Sequence, residues 1–200
     1  MKGAFLLLTA MLLGVSLVQP PFPKEQSLQH LPTVIGIALL SADLRREWLS
    51  RAAFLCVIAF LWLHILGARY IYSYVPYDEI LLSWTGFSPS LEFGWTRNNY
   101  DRLVHFGFGA LFIAPCAGLA SRWGKLDRGW EIAFALCAVT AMSGVYEVLE
   151  WLLAVVMAPD VAEAYNGQQG DHWDAQKDIA IALLGSLLVL PIAYLTRRRS

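Results

Sequence analysis

Residues 129–157 read GWEIAFALCAVTAMSGVYEVLEWLLAVVM. A helix needs roughly 20 predominantly apolar residues to cross a bilayer, and this run is longer than that. Its second half contains Glu147 and Glu150. A carboxylate at bilayer depth costs about 2.5–3.5 kcal/mol on insertion scales. Such residues persist where they face a protein interior or a wet cavity and have partners, so the run predicts a helix inside a bundle. Composition agrees. Hydrophobic residues make up 57% of the chain and charged ones 16%, with a mean hydropathy of +0.49; an average soluble domain has roughly 45–50% and 25%. The predicted fold is all-α, a polytopic transmembrane helical bundle.

About six apolar stretches occur: 3–18, 28–42, 52–67, 103–120, 129–157 and 179–196. The second is short and contains Pro32 and Gly36, so it either extends into the amphipathic stretch 43–50 or only dips into the membrane. Lys2 followed by 3–18 resembles a signal peptide. Gln19, Pro20 and Pro21 supply no small-x-small cleavage site, however, and the stretch is read as a retained first span. With the N-terminus inside, ten of the 15 Lys and Arg residues fall in cytoplasmic segments, among them Arg45, Arg46, Arg122 and Arg197–Arg199. That bias predicts both termini in the cytoplasm of a bacterial inner-membrane protein. Two units are expected: residues 1–50 as an N-terminal helical hairpin of two short spans, and residues 51–200 as a four-helix membrane core. Within the core, the outer segment 69–100 carries Tyr70, Tyr72, Tyr74, Tyr77, Trp84, Phe87, Phe93 and Trp95. Aromatic rings with a polar handle favour the headgroup region, so this segment is expected along the outer surface, either as a roof over a site or as an ordinary aromatic belt.

Several classes are disfavoured. A net charge of −1 gives no reason to expect nucleic acid as a partner. Cys56, Cys116 and Cys137 are odd in number and lie in apolar stretches, which suits neither a disulfide framework nor a thiolate metal site. No GxxxxGK[ST] loop points to an ATP-driven engine.

The chemistry concentrates in carboxylates. The ten residues from Glu147 to Met157 span about 15 Å; allowing for overhang, Glu147 lies roughly 10 Å below the outer boundary, with Glu150 one turn higher. Asp101 and His105 are spaced i, i+4 and share a helix face. Asp171, Asp174 and Asp178 follow i, i+3, i+7 and enter from the same side. Bland alternatives stand beside each. Asp171 and Asp174 suit an N-cap and its third-position acid; Asp101 suits a first-turn acid paired with Arg97 or Arg102; His105 suits a neutral core histidine. His64 either lines the same cavity or bonds a neighbouring helix, while His30 and His172 sit near boundaries and are expected to be hydrated. Gly107, Gly109, Gly144, Ala182, Gly185 and Ser186 are read as small residues for close helix packing. With Arg97, Arg102 and Lys177 at the rim, the deeper carboxylates are under-compensated and need protons or a bound cation. Carboxylates with one imidazole suit a divalent metal cation such as Mg, Mn, Ca or Zn.

Four patterns carry a resemblance: His64-x-x-Gly67-x-x-Tyr70-x-Tyr72, Asn99-Tyr100-Asp101-Arg102-x-x-His105-Phe106, Tyr146-Glu147-x-x-Glu150-Trp151, and Gln169-Gly170-Asp171-x-Trp173-Asp174-Ala175-Gln176-Lys177-Asp178. Together they resemble the YjdF-like bacterial inner-membrane protein family. That resemblance implies a multi-span helical protein and nothing finer about activity, cofactor or partner. A looser likeness is to VanZ-like membrane proteins, through Asp101, His105, Glu147, Asp171, Asp174 and Gly185. Their pattern has Asn in the last helix where this chain has Asp178, so mechanism does not transfer. Their link to glycopeptide resistance and the envelope implies only a lipid or cell-wall-facing ligand.

The leading expectation is an outward-facing acidic site that binds a cation and binds or acts on an envelope ligand such as a lipid. His105, Glu147, Asp174 and Asp178 would hold the metal, and Glu150 or Asp101 would act as general base in hydrolysis or group transfer. His64, Tyr146, Asp171 and Gln176 would line the ligand site. The rivals are a proton- or metal-ion-coupled transporter and a structural protein whose carboxylates merely cross-link helices. Besides the lipid bilayer and such a ligand, no partner or oligomeric state is specified.

Overall fold

A computed structural model describes residues 1–156 and 168–196. Met157, at the end of the fifth apolar stretch, and the basic run Arg197–Arg199 lie outside the described residues. Among those described, the only regular structure is helical. In chain order the helices are α1 (Lys2–Ser16), α2 (Pro23–Gln29), α3 (Leu31–Arg46), α4 (Arg51–Arg69), α5 (Tyr77–Thr85), α6 (Pro89–Phe93), α7 (Tyr100–Leu119), α8 (Arg128–Val156) and α9 (Asp174–Thr196). A π turn, Ala120–Gly124, prolongs α7.

Among the described residues, four helices are long and apolar enough to cross a membrane: α4, α7 with its π turn, α8 and α9. The two N-terminal stretches form shorter helices of 15 and 16 residues, α1 and α3. Pro32 falls in the first turn of α3, where its missing N–H leaves no bond unmade. The helix continues to Arg46 and stops at Glu47, whose φ of 49° is left-handed. Asp43 secures this corner, accepting from Lys2 Nζ at 2.7 Å and from the Leu49 amide at 2.8 Å. α4 then starts on Ser50, whose hydroxyl caps the Ala53 amide.

Packing centres on α7. It lies against α4, α8 and α9, while α4 and α8 have no comparable packing with each other. α1 and α3 rest on the outer side of α4 through Leu6, Leu40, Phe54, Ile58 and Leu61. Ile113, Cys116 and Ala117 of α7 meet Ala135 and Val139 of α8 in a second core, flanked by Val189 and Leu190 of α9. The α7–α9 crossing is the tightest. A Cβ on Gly109 would overlap the Ala182 carbonyl, and one on Gly185 would overlap the Phe106 carbonyl. Ser186 Oγ seals the crossing by donating to the Gly109 carbonyl at 3.1 Å. Gly107 likewise packs under Leu63, but a Cβ on Gly144 would meet nothing within 4 Å among the described residues, so no close helix approach requires that glycine. Only 22% of the apolar stretch of α8 or α9 is buried, against 44–50% for α4 and α7. Exposed faces such as Val145, Val148 and Leu152 of α8 are those a bilayer would cover.

The aromatic segment is folded rather than flat. Tyr72, Val75, Tyr100 and Val104 form a small core beside the outer ends of α4 and α7. Beyond it Asp78 joins α5 to α6 by accepting from Ser88 Oγ at 2.8 Å, Ser90 Oγ at 2.5 Å and the Ser90 amide at 2.9 Å. Trp84 and Leu91 remain outside, about four-fifths exposed.

Candidate functional site

α4 ends, and α7 and α9 begin, at one end of the bundle, where the second half of α8 passes alongside. On α7, helical spacing stacks His105 beneath Asp101, with Nε2 3.6 Å from Asp101 Oδ1. The same Nε2 lies 3.5 Å from Glu147 Oε1 on α8. Both distances bring charge together without forming a hydrogen bond. Asp178 approaches from the first turns of α9 and is 1% exposed. One ligating atom each from Asp101, His105 and Asp178 falls within 4.8 Å of the other two, and all three residues are buried. Glu147 Oε1 is buried without a hydrogen-bond donor. The sequence grouping placed Asp101 with the base and Asp174 among the ligands. In the structure Asp101 sits beside His105 and Asp178, and Asp174 turns elsewhere.

Asp174 belongs to an arginine clamp. It accepts from Arg97 Nη1 at 2.5 Å and from Arg102 Nη2 at 2.6 Å. Arg102 also donates to Asp171 at 3.1 Å and to the Asp174 carbonyl at 3.0 Å. Its second terminal nitrogen meets Asp178 Oδ1 as an ion pair. That contact is close but not aligned as a hydrogen bond, since Asp178 Oδ1 has no hydrogen-bond partner. Lys177 completes the clamp on Asp171 at 2.7 Å. Asp171 is not the helix N-cap, since α9 starts at Asp174; its Oδ1 accepts from the Trp173 amide at 3.0 Å in the turn before the helix. These bonds, the one from Lys177 first, hold the Asp171 carboxyl below the ordinary carboxylate range. Arg97 and Arg102 are therefore not rim charges. They and Lys177 pair with Asp171, Asp174 and Asp178, while Asp101 and Glu147 have His105 beside them.

A cavity of about 240 Å³ adjoins the cluster, bounded by α4, α7 and α8 with Pro32 of α3 and Tyr72. Asp101, His105, His64 and Tyr146 all line it. His64 fulfils both readings open to it: Nε2 faces the Gln29 carbonyl at 3.0 Å, and Tyr72 OH is bonded to Nδ1. Donation by Nε2 makes Nδ1 the acceptor and fixes a neutral tautomer. Tyr146 hydrogen-bonds Glu150, which is half-buried one turn from Glu147. Gln176 is exposed and belongs to neither the cluster nor the cavity lining. His172 is exposed as expected, but His30 is not hydrated. It is 4% exposed and bonds Ser16, Gln26 and Thr33, so it locks the α1–α2–α3 corner. Sequence reading names Arg102 as a rim charge and Tyr72 as part of the aromatic segment, but not Arg102 as the hub, Tyr72 as the partner of His64 or Ser143 as a cavity residue. An arginine in the first turn of an apolar helix is a usable signal for Arg102; the place of Ser143 depends on packing.

Comparison with known proteins fits this architecture. The chain is 35% identical over 158 residues to the inner membrane protein YjdF of Escherichia coli (strain K12), covering 78% of this chain and 71% of that protein. No solved structure matches it. The family model described as "Predicted membrane protein (DUF2238)" matches residues 1–199. With helices long enough to span and lipid-suited faces on α8 and α9, a match over nearly its whole length makes this chain a member of the DUF2238 family of integral membrane proteins.

Proposed function

We propose that the buried cluster is a divalent-cation site serving an envelope ligand of lipid type. The supporting observation is the convergence of Asp101, His105 and Asp178 within 4.8 Å, with Glu147 Oε1 beside His105 and lacking a donor. Among the described residues, Asp101, Glu147, Asp171, Asp174 and Asp178 gather at this end, and the ion pairs of Arg97, Arg102 and Lys177 go to the last three. A divalent cation removes most of the excess at one stroke, which no rearrangement of neutral side chains achieves. Carboxylate oxygens with a single imidazole are a donor set for Mg, Mn or Zn. In this reading Asp101, His105, Asp178 and Glu147 hold the ion. Asp174 holds Arg102 in place, and Glu150, oriented by Tyr146, is the base for hydrolysis or group transfer.

The protein is further read as crossing the membrane about six times, α1 and α3 being the short crossings of a 1–50 hairpin. Both termini lie in the cytoplasm, and the cluster opens outward beneath segment 69–100. A transport path is less well supported. Inward of the cluster, Ile113, Ala117, Ala135 and Val139 are fully buried and apolar, and Ser186 is committed to Gly109 and Ala182.

Elemental analysis of the full chain, purified in mild detergent without chelator, tests the cation. About one metal ion per chain is expected in wild type, falling severalfold or more in Asp101→Asn and Glu147→Gln. Folded wild type that takes up no Mn, Zn, Mg or Ca after supplementation would leave the carboxylates to protons or to helix cross-linking.

A further inference from the structure

The cavity beside the cluster has a shape and a lining that the acidic residues do not explain. α4 and α8 both lean on α7 with little packing on each other, so the space between them, edged by Pro32 of α3, is a cleft beside the bundle's apolar faces. Phe60, Val104, Phe108 and Met142 make most of its wall apolar. Met142 is 40% exposed and stands at the edge where α8 turns its apolar face outward. At about 240 Å³ the cavity falls below the roughly 300–1,000 Å³ that encloses a whole drug-sized ligand. It therefore suits part of a larger molecule whose remainder stays in the bilayer.

Ser143 supplies the polar point. It lines the cavity and is 2% exposed, yet its hydroxyl has no hydrogen-bond partner. A helical hydroxyl ordinarily turns back to the carbonyl one turn earlier, as Thr140 does to Leu136 at 2.9 Å on the same helix. Leaving a buried donor unmade costs about 1–3 kcal/mol, so such a group marks a partner that arrives from outside the chain.

We propose that this cavity receives one hydrocarbon chain of a membrane amphiphile, entering between α4 and α8, with Ser143 donating to an oxygen of its polar linkage. The inference rests on the reading that the site serves an envelope lipid, and it names the part of that lipid the protein grips. The linkage then lies beside Asp101 and His105, and the aromatic rings Phe60 and Phe108 contact the chain.

The test uses the full chain in vesicles of phosphatidylethanolamine and phosphatidylglycerol containing a phosphatidylglycerol with a diazirine on one acyl chain. After illumination, labelled peptides are mapped by mass spectrometry. Label is expected to concentrate around Phe60 and Met142 rather than on the lipid-facing Leu184 and Leu188 of α9. Ser143→Ala should lower that labelling about fivefold, the value of one hydrogen bond. Its thermal midpoint in detergent should hold or rise, because an unsatisfied buried hydroxyl is gone. Met142→Trp, which fills the mouth, should lower labelling without touching the hydroxyl. Label spread evenly over α8 and α9 in wild type, or unchanged in both variants, overturns the proposal. Metal content of the same samples separates the two readings. Concentrated label without metal keeps the chain pocket and removes the cation; metal with evenly spread label does the reverse.

Discussion

Arg102 carries more of this site than any acid in it. Its fork joins Asp171, Asp174 and Asp178, so a single side chain ties the first turns of α9 to α7. Removing one partner of a buried pair strands the other charge, at a cost of about 3–5 kcal/mol. Arg102→Gln should therefore lose that much stability in a reversible denaturant titration in detergent, with Asp174→Asn recovering part of it in the double variant. An Arg102→Gln protein as stable as wild type would sink the clamp. Lysine is a poor substitute, since a point charge cannot serve three carboxylates as the planar guanidinium does. At this scale the sequence was half legible. Glu147 and Asp178 stand out because carboxylates are costly inside apolar runs. Arg102 was placed at the rim because reading one helix at a time cannot show that its side chain reaches across to the next.

At the level of elements, the outer segment shows what a local pattern misses. Its aromatic content predicted an interfacial position, but nothing in it announced that α5 and α6 are clasped by Asp78. The partners, Ser88 and Ser90, lie ten and twelve residues away across a glycine turn. Burial pulls the Asp78 carboxyl upward, but the hydrogen bonds from Ser90, Ser88 and Tyr77 together outweigh it and hold the group below its ordinary value. A depressed folded pKa contributes stability above the unfolded value of about 3.9 and loses it as pH falls through the folded one. The clasp should thus persist through mild acid and open below about pH 4, seen as a change in tryptophan emission from Trp84 and Trp95. The same acid step in Asp78→Asn should be absent; an undiminished step would assign it to another group. The α2–α3 corner is a second case. Pro32 read as a weakness of the second apolar stretch, yet at a helix start it is an asset, and the buried His30 cluster behind it supplies the bonds that hydration was expected to provide.

For the whole molecule, four of the six apolar stretches coincide with the long helices among the described residues, because membrane crossing is written in composition and length. What they could not give is rank. α7 is the central helix by virtue of its three neighbours, and α1 and α3 are subsidiary, facts that depend on packing. The proposed orientation rests on the Lys and Arg bias alone and is tested directly. In a cysteine-less background, Ser83→Cys, on the exposed side of α5, should react with a membrane-impermeant maleimide in intact cells. Ser121→Cys should react only after the membrane is opened; the opposite pattern would invert the protein.

The crossing of α7 and α9 bears on the cluster that sits above it. Gly109 lies two turns, about 12 Å, below Asp101 on the same helix, and there the two backbones touch with no side chain between them. The distance between Asp101 and Asp178 is thus a gauge machined into main chain, whereas Glu147 rides on a separate helix that is mostly wrapped in lipid. A gauge of that kind is not opened from its mouth. If the cluster holds the proposed cation, seating a larger ion would require prising apart two backbones deep in the bundle, so the glycines, far from any ligand, would set the size of ion the carboxylates take.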